Sequence, residues 1–69
     1  MNTIIKGTKA WDIYETFDDE ECISMKLELP DWEEVYKRDG KTYTFTCPIS
    51  DLSLCEVNMV VEIEEDEND

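Results

Sequence analysis

Two runs of carboxylates and three scattered thiols are the side chains of this chain with the greatest chemical potential. The acids stand at Asp18, Asp19, Glu20 and Glu21 and again at Glu62, Glu64, Glu65 and Asp66; the thiols are Cys22, Cys47 and Cys55. Paired carboxylates divide acid and base work only where a desolvated cleft raises one of the two pKa values, and both runs read as surface. Histidine is absent, which removes the commonest general base and metal ligand near neutral pH. Ser50 and Ser53 therefore have no imidazole to activate them. With Gly7 and Gly40 as its two glycines, the chain cannot build a glycine-rich phosphate loop. Residues 18–21 lack the spacing and central glycine of an EF-hand calcium loop, and three cysteines without a CxxC pair lack the fourth ligand that structural zinc wants. The expectation is a protein that is not an enzyme and holds no metal or cofactor, with its thiols reduced and packed as small apolar residues.

Charge carries the functional argument. Nineteen acids against six bases leave a net charge of −13 over 69 residues, where solubility asks for only about 2–8 in a small domain. Residues 12–21 hold six of the acids and residues 62–69 another six, while the other 51 residues hold seven acids and all six bases. Lys37, Arg38 and Lys41 surround Asp39-Gly40 as a small basic tip. Such a balance repels nucleic-acid phosphate and anionic membranes, which are bound through Lys and Arg. It suits a basic protein partner instead. Same-face residues on a strand lie about 6.6–6.8 Å apart, so Glu62 and Glu64, continued by Asp66, form a row of negative charge resembling a phosphate track. In size and charge the chain resembles the DNA-mimicking inhibitors encoded by phages and other mobile elements, with no motif in common. That likeness implies a small acidic binding protein that inhibits or regulates a nucleic-acid-processing protein. Its binding residues would be Asp18, Asp19, Glu20, Glu21, Glu62, Glu64, Glu65 and Asp66, with Trp32 between Asp31 and Glu33 as an aromatic anchor in a charged rim. The alternative is a homo-oligomeric structural or assembly module, such as a dimer, whose charge only keeps it soluble.

The elements that must position these residues are mostly strands. In ECISMKLEL, Ile23, Met25, Leu27 and Leu29 alternate with Ser24, Lys26 and Glu28, the period of a sheet with one buried face. EVNMVVEIE repeats the pattern with Val57, Met59, Val61 and Ile63. KTYTFTC is rich in β-branched and aromatic residues and ends at Pro48. Residues 10–17 place Trp11, Ile13 and Phe17 on odd positions and read as a further strand. Residues 31–40 have two readings: a short helix from Asp31 to a stop at Gly40, or a strand turning through Asp39-Gly40 into KTYTF. The hairpin is preferred; it sets Arg38 opposite Lys41 and Tyr36 opposite Tyr43. Residues 48–55 read as a loop or one helical turn.

The expected architecture is mainly β, a small antiparallel sheet of five to six short strands, barrel-like or sandwich, with at most one or two short helical turns. The alternative is α+β with a short helix at 31–38. A single domain over 1–64 would be followed by an acidic disordered tail at 65–69. No apolar run approaches a membrane span of about 20 residues and no cleavable leader is visible, so a cytoplasmic protein is expected, in the host cell if phage-encoded.

Overall fold

Alternation between apolar and polar residues builds one antiparallel sheet. The computed structural model describes residues 2–28, 31–48 and 54–65. Its strands are β1 (Asn2–Lys6), β2 (Cys22–Glu28), β3 (Asp31–Arg38), β4 (Lys41–Pro48) and β5 (Val60–Glu65), arranged in the order β1-β5-β4-β3-β2. Two short helices accompany them, α1 (Thr8–Tyr14) and α2 (Cys55–Asn58), with a 3₁₀ turn at Asp19–Glu21. The mainly β antiparallel architecture is the expected one. The sheet is open, with β1 and β2 as its edges, and the chain travels from one edge to the other through α1.

Register divides the sheet into two faces. On one face lie Met25, Glu34, Phe45, Val61 and Ile5 in a single cross-strand row, flanked by the rows Leu27–Trp32–Cys47 and Cys22–Tyr36–Tyr43–Ile63. Ala10 of α1 is fully buried against this face together with Phe45, Cys47, Cys55, Met59 and Val61. Each fully buried side chain of Val or Phe size stabilises the fold by about 1.5–3 kcal/mol. Thr42, Thr44, Glu62, Glu64, Glu33, Lys26 and Lys6 occupy the opposite face, which is wet, as one-sided antiparallel sheets allow.

Residues 31–48 form the hairpin, with Arg38 opposite Lys41 and Tyr36 opposite Tyr43; the helix alternative at 31–38 does not form. Asp39 (φ 51°) and Gly40 (φ 74°) both take the left-handed conformation that the right-handed twist of a two-residue hairpin requires.

Residues 10–17 are not a strand. They belong to α1 and the turn after it, because Ala10, Ile13, Tyr14 and Phe17 follow the i, i+3, i+4, i+7 spacing of a helical stripe and all four join the core. Gly7 opens the helix at φ 82°, a conformation costly for side-chain-bearing residues, and its N–H donates to the Met59 carbonyl at 2.8 Å. β5 starts later than expected, since residues 56–58 belong to α2 and Val57 is exposed. It runs through Glu65, paired with Lys41; residues 66–69 of the expected tail lie outside the described residues, as do Leu29, Ile49 and Leu52. β1 has only Ile4 and Ile5 as apolar residues, too short a pattern to mark a strand in the sequence.

Two further corrections concern side chains. Cys47 and Cys55 are joined in a disulfide, with Cα atoms 5.7 Å apart, and Cys22 is free. The expectation of three reduced thiols fails because α2 packs against β4 and sets Cys55 beside Cys47. Ile23, Met25 and Leu27 are not buried: they are 59%, 63% and 71% exposed. Met25 and Leu27 do share the core face, but α1 lies over the β1 and β5 side of it.

Candidate binding surface

The carboxylates occupy several distinct settings. Glu34 is the buried one, 3% exposed in the middle of the core row. Its Oε1 accepts the Tyr36 hydroxyl at 2.6 Å, and both its oxygens accept the Tyr14 hydroxyl, at 3.1 and 3.3 Å. Two phenols thereby replace the water that a buried carboxylate would otherwise need. Burial, with the Glu34 charge and hydrogen bonds beside them, raises the pKa of both tyrosines above 10. Tyr14, Tyr36, Phe17 and Phe45 also pack edge to face or tilted, with ring centroids 5.0–6.1 Å apart, geometry the ring quadrupoles favour.

Glu21 is engaged at the hairpin tip. Arg38 donates through Nε to Glu21 Oε2 and through Nη2 to Oε1, both at 2.9 Å, a bidentate pair. The same guanidinium donates to the Thr16 hydroxyl and carbonyl at 3.1 and 2.9 Å and stands 3.8 Å over the Phe17 ring. The Asp18 N–H donates to Glu21 at 3.0 Å. Arg38 first, and then this N–H, lower the Glu21 carboxyl from 4.5 to about 2. Arg38 thus fastens the segment after α1 to the start of β2.

Asp12, Glu15, Asp18, Asp19 and Glu20 form a third setting, all exposed along the outside of α1 and the 3₁₀ turn. Glu65 lies at the same end of the sheet, in the row Arg38–Lys41–Glu65 on the helix-bearing face. Three strand spacings separate β5 from β2, about 14 Å, with the basic tip between the two acidic groups. Glu62 and Glu64 stand side by side on β5 but face the other way; Glu62 accepts the Asn2 side-chain amide at 2.7 Å. The acidic residues are therefore divided between two faces, because side chains alternate along β5. Asp66 lies outside the described residues.

Trp32 is half-buried between Leu27 and Cys47, edge-on to Tyr14 with centroids 6.4 Å apart. It walls a shallow depression shared with Tyr14, Glu34, Phe45 and Met59 that has no room for a water molecule. Among the described residues, no group of three or more carboxylates or thiols is placed to hold a metal ion. No helix among them is long and apolar enough to cross a membrane. Sequence reasoning missed Glu34 and the clasp of Arg38 on Glu21. The strand alternation of Trp32, Glu34 and Tyr36 on one face was the available sign for Glu34. No local signal links Arg38 to Glu21 across 17 residues. No family model, curated protein or solved structure matches the chain.

Proposed function

We propose that this protein is a small acidic binding module that inhibits or regulates a nucleic-acid-processing protein, in the manner of a phage-encoded DNA mimic, by occupying that protein's basic surface. One observation carries the reading. Asp12, Glu15, Asp18, Asp19 and Glu20 are exposed within nine residues, while Glu21 and Arg38, the ion pair beside them, neutralise each other. Unpaired surface carboxylates cost stability through mutual repulsion, and a basic partner relieves that cost. Complementary charge also raises the rate of encounter, towards 10⁸–10⁹ M⁻¹s⁻¹ at low salt.

Affinity purification from the native host, followed by competition against DNA or RNA, tests the reading. The expected result is a dominant partner that binds nucleic acid and releases it when this protein is added. Recovery of the protein alone, or of a partner whose nucleic-acid binding is unaffected, overturns it. A second reading, a homo-oligomeric assembly module, is favoured by one observation, the exposed apolar edge strand β2.

A further inference from the structure

Strand β2 combines two properties that globular sheets usually keep apart. It is an edge strand, so its outer margin presents backbone N–H and C=O groups that, among the described residues, meet no further strand. It also carries Ile23, Met25 and Leu27 at 59%, 63% and 71% exposure. Met25 and Leu27 stand on the helix-bearing face, in register with Glu34 and Trp32, so the apolar core face continues outward past β3 without cover from α1. Natural edges are commonly protected by charge, proline or a bulge; here Lys26 and the bulge between Cys22 and Ser24 leave the apolar pair open. Exposed apolar surface next to unpaired strand backbone is the geometry that accepts an added strand.

Charge decides what that strand is. The 3₁₀ turn with Asp18, Asp19 and Glu20 leads directly into Cys22, the first residue of β2, so a strand laid along the edge passes these carboxylates at one end. A second copy fits poorly. Antiparallel pairing of β2 with its own twin about a two-fold axis turns the Asp18–Glu20 end of one protomer towards Asp31, the neighbour of Glu28, on the other, and joins two chains of net charge −13. We propose that the free edge of β2 takes up an extended segment of a basic protein partner as an antiparallel strand. Its apolar residues lie against Met25 and Leu27, and its Lys or Arg residues follow at the C-terminal end, beside Asp18, Asp19 and Glu20. The inference rests on the basic-partner reading above and names the part of the surface that grips the partner. Lys26, on the wet face, sets a further requirement: the residue opposite it is uncharged or acidic.

Synthetic peptides test this on the full chain. The parent peptide alternates valine and threonine over six residues and ends in Lys-Arg-Lys; its companions carry N-methyl groups on the alternate backbone amides that face β2, or Glu in place of the three bases. Backbone NMR shifts and amide exchange of the protein are followed during titration. The expected result is new protection of β2 amides with the parent. N-methylation abolishes it, the Glu-ended peptide binds at least about tenfold more weakly, and the double variant Met25→Thr, Leu27→Thr weakens it similarly. These two residues are exposed, so the variant keeps its fold, which the unchanged shifts of β4 and β5 verify. Equal binding by the N-methylated peptide overturns strand addition while leaving an acidic surface for basic proteins intact. Equal binding by the Glu-ended peptide, absence of binding by the parent, or a dimer with β2 amides already protected each overturns the proposal. The nucleic-acid competition described above fails or succeeds separately, because its readout does not involve β2.

Discussion

At the scale of single residues, Glu34 holds more of the structure than its chemistry suggests. A carboxylate placed at the centre of an aromatic cluster is tolerated because Tyr14 and Tyr36 donate to it. Glu34→Ala leaves both hydroxyls short of an acceptor, and a loss of about 2–4 kcal/mol in urea unfolding is expected. Tyr36→Phe, which removes one donor to the charged group, costs about 1.5–3 kcal/mol. Glu21 gives a pH signature. Its carboxyl is depressed from 4.5 to about 2 in the folded state by Arg38, so the folded chain binds that proton less readily than the unfolded one. The stabilisation from this pair is present above pH 4.5 and is lost as pH falls through about 2. In Arg38→Met, NMR titration of Glu21 should show its midpoint rising back towards 4.5. The tyrosines act in the opposite sense: their raised pKa values leave stability intact below pH 10 and erode it as pH rises beyond.

Secondary-structure elements show which physical signals travel through sequence and which do not. The hairpin was legible because Asp39-Gly40 supplies a local turn whose backbone demands are met by those two residue types; Gly40→Ala should cost about 1 kcal/mol, read as a lower thermal midpoint. Helix α1 was obscured by Trp11, which fits an alternating pattern as well as a helical one. The stripe of Ala10, Ile13, Tyr14 and Phe17 shows its meaning only when a sheet lies beneath it. β2 was legible as a strand, yet its burial was not, since alternation reveals that one face is apolar and says nothing of what covers it. The disulfide was hidden because an odd number of cysteines argues for free thiols, whereas Cys47 and Cys55 meet only through the packing of α2 against β4. Closing a loop across 8 residues stabilises by about 2.5 kcal/mol in the chain-entropy account. Reduction, or Cys47→Ser with Cys55→Ser, should lower the unfolding free energy by about that amount. Intact mass after alkylation checks the pairing, with Cys22 alone modified in the unreduced protein.

Across the whole molecule, the two acidic groups differ in direction. Asp18, Asp19 and Glu20 flank the helix-bearing side at the start of β2, whereas Glu62 and Glu64 stand on the opposite face. The location of both runs in the chain was plain from the sequence; their separation follows from sheet register, which no single run encodes. Reversing Asp18, Asp19 and Glu20 to lysine should weaken partner binding at least about tenfold and flatten its salt dependence. Reversing Glu62 and Glu64 should have the smaller effect. The most direct measurement is partner affinity over a range of salt concentrations for the native protein and the Asp18→Lys, Asp19→Lys, Glu20→Lys variant, with nucleic acid as competitor. The account predicts affinity that falls steeply with salt, is lost in the variant, and excludes nucleic acid from the partner. Affinity that is indifferent to salt and to the three substitutions, or a partner that binds this protein and nucleic acid together, would contradict it.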